Sequence, residues 1–417
     1  MIDFSYWSFR YDLPIVQLLC SYGNVMSATP LAKPFVLLMS IACGLCAGSA
    51  YYNQPLIYSI AQSLKITESE AGLAVVIAQL GYVLGLMLLV PLGDLFNKRK
   101  LIVALMVFAG CAQICLSFST QIFSLYLFTL LATFGAISAQ ILIPFAATIS
   151  PAQYSAETVG KLMSGLVMGI ILSRTFAGSV SSLFSWSMVY VLSGCITLLF
   201  ALLMWTKLPN TAAHPNLNMA QIYSSLWALA RKEPHLIRRA CAGALGFGIL
   251  SMVFTSMAFV LMNAPYHFSD FEVGLFGLLG IIGIFSSRWS GKKVGNGQEN
   301  RVALICIFLM MSSCLPLAFA QTSLVAYAIG VLMSYFGLTG FHVLNQNLVY
   351  RIDAKARSRI NAVYMTIYFS GATLGSLGAV YAWQHWGWIG CVMMGLLLSI
   401  GILIIDRLDF QKMNHAT

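Results

Sequence analysis

Arg174 is the one permanently charged side chain inside a long apolar stretch of this chain. A guanidinium keeps its charge at any working pH and can grip a carboxylate through two parallel N–H donors. At the centre of a lipid-embedded helix an Arg costs about 2.5–3.5 kcal/mol, so it needs a partner or a task. It sits roughly 10 Å from the nearer end of its apolar run, close enough to snorkel. On a helical wheel it falls with Val167, Ile170, Gly178 and Ser181, opposite Gly165 and Gly169. The last two form a small-x-x-x-small face suited to close helix packing. Arg174 therefore either faces a solute path and gives it a positive field, or ties helices together.

His342, Asn345 and Gln346 share one helix face at i, i+3 and i+4. An imidazole there can donate, accept or carry a proton. The alternative is an interhelical hydrogen-bond cluster, worth roughly 0.6 kcal/mol per bond in a membrane. Asn53 and Gln54, in Tyr51-Tyr52-Asn53-Gln54-Pro55, offer amides where an apolar run stops. Pro55 ends that helix, and the amides satisfy freed carbonyls or meet solute. No Asp or Glu falls within an apolar run; Glu68, Glu70, Asp94, Glu157, Asp270, Glu272, Asp353 and Asp406 lie at ends or in loops. A proton carrier must then be His342, an end-of-loop acid or the solute itself. Cys43 and Cys46 are CxxC-spaced but have no His or Cys nearby in the sequence, which favours helix packing over a metal or redox pair. No catalytic group, metal site or cofactor site is read here.

The elements that must position these residues follow from composition. Of 417 residues, 59% are hydrophobic and 9% charged, against about 25% charged in soluble domains. Mean hydropathy is +0.83. The chain is predicted to be an all-α membrane protein, because backbone groups in lipid must be satisfied within each segment. Apolar runs near 35–57, 71–92, 100–119, 122–149, 159–181, 187–207, 238–262, 272–290, 302–320, 323–349, 360–382 and 386–405 give twelve spans. Residues 1–34 read as a cytoplasmic extension without signal-peptide character, 208–237 as a cytoplasmic linker and 408–417 as a tail. Of 23 Lys and Arg, all but Lys65 and Arg174 fall at ends and loops on one side. That asymmetry puts both termini in the cytoplasm. It also accounts for the net charge of +10 without nucleic acid.

The two halves repeat. Glu70-Ala71-Gly72-Leu73 matches Glu272-Val273-Gly274-Leu275, and the same register carries Gly81 to Gly283, Arg99 to Arg301, Gln140 to His342, Pro144 to Gln346 and Trp186 to Trp388. Residues 35–207 and 238–407 thus read as two pseudo-symmetric six-helix bundles. Between the second and third spans lies Val90-Pro91-Leu92-Gly93-Asp94-Leu95-Phe96-Asn97-Lys98-Arg99-Lys100. It reads as a polar hinge in which Asp94 latches a neighbouring helix, Asn97 takes a left-handed turn conformation, and Lys98, Arg99 and Lys100 mark the cytoplasmic face.

This hinge resembles the signature of the major facilitator superfamily, roughly Gly-x-Leu-Ala-Asp-Arg-x-Gly-Arg-Arg-Arg. Leu92, Asp94, Lys98, Arg99 and Lys100 fit it; Val90, Leu95 and Asn97 depart from it. Gly165, Gly169 and Gly178 resemble the family's fifth-span packing pattern, with Arg174-Thr175 where exporters commonly carry Gly-Pro. The Tyr51–Pro55 string, Arg357-Ser358-Arg359-Ile360-Asn361 through Gly375, and Trp386-Gly387-Trp388 resemble a twelve-span bacterial inner-membrane branch of drug and metabolite proton antiporters. The resemblance implies the major facilitator fold, with a solute path lined by spans 1, 4, 7 and 10. It implies an inner-membrane secondary transporter, not an enzyme, that works by alternating access. Its partners would be a small organic solute, protons and the lipid bilayer, and it would act as a monomer. Proton-coupled export leads. Proton-linked or facilitated uptake of a small, anionic metabolite is the alternative.

Overall fold

A computed structural model describes residues 31–210, 219–353 and 357–414, which are helical with no strand. Ten helices are long and apolar enough to cross a bilayer, and a bent pair adds a further span. The longest, Arg357–Asn414, is two helices joined at Gly387, span 11 before it and span 12 after it, and its φ of 62° is one no other residue type adopts as easily. Twelve spans result. The even number places the linker and the last helix end on one face, called here the basic end; the opposite face is the far end.

The first span is Lys33–Ser49 and Asn53–Leu64, bent by 47°. Pro55 does not end this span, as expected from the sequence, but sits in the first turn of its second segment. Lacking an N–H, and clashing with the carbonyl four residues earlier, it breaks the ladder at residues 50–52 instead. Span 2 is Glu68–Leu88, span 3 Lys98–Ser117, span 5 Ala152–Leu183 and span 6 Trp186–Lys207. Span 4 is broken into Ile122–Gly135 and Ser138–Ile149. Span 7 is Pro234–Leu261, and span 8 runs from Asp270–Leu275 through a 3-10 stretch to Ile282–Gly295. Glu299–Ser312 with Cys314–Ala318 is span 9, and Leu324–Tyr350 is span 10. The linker contains an unanticipated helix, Met219–Lys232. The last helix continues past residue 407 to Asn414.

The sequence repeat has a local cause. Thr67 and Glu70 form a capping box, as do Ser269 and Glu272. In each, the hydroxyl accepts from the glutamate N–H while the carboxylate accepts from the capping N–H at 2.8 Å. Two orphan donors are satisfied at the start of spans 2 and 8 alike.

Small residues set the contacts inside each bundle. Gly165 and Gly169 of span 5 lie against Gly44 and Gly48 of span 1, and Gly371 and Gly375 of span 11 lie against Ala244 and Gly248 of span 7. A methyl group added at Gly169 would lie 2.3 Å from the Gly44 Cα. Backbone cannot yield there, so overpacking by several carbons should cost more than the usual 1–3 kcal/mol. Gly169→Leu is expected to lower the melting temperature of the purified protein by many degrees. Gly160→Leu on the same span, where an added Cβ meets nothing within 4 Å, should leave it unchanged. Equal melting of the two variants would contradict this packing.

At the basic end the second bundle holds a buried charge cluster. Arg239 of span 7 donates to Asp409 at 2.5 Å and to Asp406 at 2.7 Å, both on span 12. Arg238 and His235 add contacts to Asp409 at 2.6 and 2.8 Å. Asp406, Asp409 and Arg239 are fully buried. Asp406 lies at a span end in the sequence, and helix packing encloses it because the last span runs on beside span 7.

Candidate functional site

The hinge between spans 2 and 3 forms a short 3-10 turn, Pro91–Asp94. The Asp94 side chain, on which the latch depends, lies outside the described residues. Asn97 is not left-handed, as expected, but extended, with φ −57° and ψ 113°. It caps span 3 by accepting from the Lys100 N–H at 3.1 Å. A helix start after Gly93 needs a cap more than a tight turn. Arg99 stacks over Trp205 of span 6, 4.6 Å from the ring centroid. Lys98 and Lys100 lie beside it in the first turn of span 3.

Midway through the molecule an aromatic wall joins the two bundles. Gln140 of span 4 donates to the Tyr82 hydroxyl of span 2 at 3.1 Å. The Tyr82 ring lies 4.8 Å from that of Phe369 on span 11. Phe247 of span 7 stacks on Tyr368 at 4.6 Å and meets Phe369 edge-on at 5.2 Å. His342 of span 10 lies 4.4 Å from Tyr368, with its Nδ1 3.1 Å from the Tyr364 hydroxyl. Gln140 and His342, paired by the sequence repeat, thus border one aromatic cluster from opposite bundles. Gln346 is half-buried, whereas Asn345 is fully buried toward Gly243 of span 7 and does not share its exposure. A 3.6-residue period separates i+3 from i+4 by about 100°, enough to turn one into the bundle.

Arg174 lies farther toward the far end. It is 3% exposed. Its Nε donates to Gln54 Oε1 at 2.6 Å and Nη1 to the Ile170 carbonyl at 3.2 Å. Its guanidinium lies 4.9 Å from the Tyr51 ring of the first bundle and 4.0 Å from the Phe254 ring of the second. Tyr335 and Tyr327 of span 10 are further neighbours. The charge is spread between aromatic faces. Tyr51 in turn neighbours Tyr82 and Tyr335, so this cage and the aromatic wall are continuous.

Two candidate residues take other roles in this conformation. Asn53 is turned into the first bundle, where it accepts from the Tyr190 hydroxyl and donates to the Ala74 carbonyl at 3.4 Å. The bend at residues 50–52 turns it into the bundle, whereas Gln54 beside it meets Arg174. Gly178 does not share the packing partner of Gly165 and Gly169. It lies against the Asp270 and Phe271 backbone of span 8, across the bundle interface.

That interface is closed at the far end. Thr175 donates to the Gly274 carbonyl at 3.1 Å, and the Phe271 N–H donates to Ser182 at 3.1 Å. Asn263 donates to Glu68 at 3.1 Å. A methyl at Gly72 would lie 2.9 Å from the Phe259 ring. Sequence reasoning missed Tyr82, Phe247, Tyr364, Tyr368 and Phe369. The spacing Tyr364-x-x-x-Tyr368-Phe369 marks one helix face, but aromatic residues on an apolar span serve core and interface alike. It also read Asp270 as an end-of-loop acid, although the carboxyl group is buried.

Twelve helices in two bundles, joined through an aromatic and polar centre, define a multi-pass membrane transporter. Residues 38–376 match the Major Facilitator Superfamily, and the chain belongs to that family. The transporter YgaY of Escherichia coli K12, itself described as uncharacterized, is 38% identical over 93% of this chain and 98% of its own. The inner membrane transport protein YnfM of the same organism is 24% identical over 86% of each chain. Among solved structures, a bacterial homologue of the human lysosomal transporter Spinster, inward-facing and occupied, superposes with a TM-score of 0.70 at 12% identity. It covers 91% of this chain and 97% of that one. The nucleoside transporter NupG gives 0.69 at 13% identity, covering 90% and 99%. At those identities the likeness concerns the fold.

Proposed function

We propose that this protein is a secondary active transporter of the inner membrane that moves a small organic solute by alternating access. Its basic end is cytoplasmic, and the described conformation faces inward. The observation that carries the reading is the asymmetry of the bundle interface. The far end is sealed by close backbone packing and hydrogen bonds between spans 5 and 8. Pro144 and Gln346, one turn toward the basic end from Gln140 and His342, retain exposure. The units that rock are residues 35–207 and the bundle that starts at 238, joined by the 208–237 linker. Proton-coupled export is the leading mode. The solute lies against Tyr82, Gln140, His342, Tyr368 and Phe369, where rings supply stacking area and the amide and imidazole supply orientation.

A second reading, uptake of an anionic metabolite, is favoured by Arg174. No carboxylate contacts its guanidinium among the described residues, so a solute anion would find an uncompensated charge above the aromatic wall.

Flux into and out of proteoliposomes, measured with a panel of anionic, neutral and cationic solutes, tests both. Tyr368→Ala removes the ring that touches both Phe247 and His342, and should weaken binding of a transported solute roughly tenfold. Absence of any flux across the panel, or unchanged affinity in Tyr368→Ala for a solute that does move, would overturn the assignment. Flux confined to anions would favour the second reading.

A further inference from the structure

Asp270 is the first residue of span 8 and belongs to the second bundle. Its carboxyl group is enclosed by the first. Ser59 of span 1 donates to Oδ2 at 2.5 Å, and Ser181 of span 5 donates to the same oxygen. Oδ1 is buried and has no hydrogen-bond partner among the described residues. The residue is 5% exposed. The Gly178 face packs on its backbone carbonyl, so the enclosure exists only while spans 5 and 8 touch.

The charged and titratable groups on the elements around it are otherwise engaged. On span 1, Lys65 is exposed at the left-handed helix end, and no hydrogen bond joins Tyr58 to the carboxyl group. On span 5, Arg174 is turned toward Gln54 and Phe254. In the loop after span 7, His267 is exposed. On its own helix, Glu272 caps Ser269, and Glu68 of span 2 accepts from Asn263. Asp270 is thus a carboxyl group shared between bundles, held by two hydroxyls, with one oxygen unpartnered and no cation against it among the described residues.

We propose that Asp270 is the proton-binding site of the far-end gate: the closed gate holds the protonated carboxyl, and the open gate exposes the carboxylate to water. The inference rests on the alternating-access reading above. An ion without a counter-charge is costly to bury, whereas a neutral acid flanked by two hydroxyls is not. Alternating access must separate span 8 from spans 1 and 5 at this end, and returns the group to solvent. The step is a simple protonation. One proton moves from far-side water to a carboxylate oxygen on closure and returns on opening, with no other bond made or broken. Because the closed state binds the extra proton, falling pH favours closure and rising pH favours opening.

The test needs no knowledge of the solute. Spin labels at Leu183→Cys and Gln321→Cys, in a cysteine-free background reconstituted in liposomes, report the far-end separation between pH 5 and 9. The wild-type distance distribution should shift toward the short population as pH falls, along a single-proton curve. Asp270→Asn, which cannot ionise, should stay in the short population at every pH. Ser181→Ala removes a hydrogen bond that the carboxyl group has only in the closed gate, and should lower the midpoint by about one pH unit. A pH-independent wild type, a wild-type pH response in Asp270→Asn, or an unmoved midpoint in Ser181→Ala would each overturn the proposal. If Asp270→Asn does not fold, the serine variant still decides. Distances that respond to a transported solute but not to pH would reject Asp270 alone. Distances that respond to neither would reject alternating access itself.

Discussion

Arg239→Ala is expected to lose most of its folded population in detergent. The side chain is fully buried, bonded to Asp409 at 2.5 Å and Asp406 at 2.7 Å, and its guanidinium lies 4.5 Å from the Phe410 ring. Removing it leaves two acids at the joint of spans 7 and 12. Asp409 keeps Arg238 and His235 as partners, but no other hydrogen bond reaches Asp406 among the described residues. Leaving a buried charge uncompensated costs about 3–5 kcal/mol, comparable to the net stability of many domains. Asp406→Asn should cost less, because Arg239 retains Asp409. Replacing the pair with apolar side chains, Arg239→Met with Asp406→Leu, should recover much of the loss, since a well-packed apolar pair is often as stable as a buried ion pair. Thermal melting and size-exclusion profiles of the three variants check this order. Normal melting of Arg239→Ala, or a double variant worse than the single, would show that the cluster does not hold the bundle together.

Transport of an anionic solute should fall at least tenfold in Arg174→Gln, with the melting temperature within a few degrees of wild type. The guanidinium is a fixed charge in an aromatic cage continuous with the wall, so the glutamine variant keeps a hydrogen-bonding side chain and loses the field. Arg174→Lys keeps the charge but not the planar group that stacks between Tyr51 and Phe254, contacts worth about 2 kcal/mol when desolvated. It should retain part of the transport and the preference for anions. Flux selectivity and melting, measured on the same reconstituted preparations, separate two roles. Collapse of melting in both variants, with unchanged selectivity in the surviving protein, would make Arg174 a tie between helices and remove the anionic-solute reading.

Twelve spans, their repeat and the clustering of positive charge were legible in the sequence because each is local. A run of some 20 apolar residues is a span whatever its neighbours. The matched Glu70 and Glu272 are legible because a capping box is closed within four residues. Gly165 and Gly169 could be assigned to one face by helical period alone. Only the tertiary structure decided what the polar residues do. Gln54 meets Arg174 and Ser59 meets Asp270 across the packing of spans far apart in the chain, and no periodicity encodes such a meeting. The same limit governs the acids. Hydropathy places Asp270 and Asp406 at span ends and Asp409 in a tail, but whether such a position is wet depends on the helices packed beside it. Span breaks fall between these cases: Pro55 announces one, but the bend appears several residues earlier, where the missing N–H and the ring clash act on the preceding turn. The partners of Arg174 likewise come from both bundles.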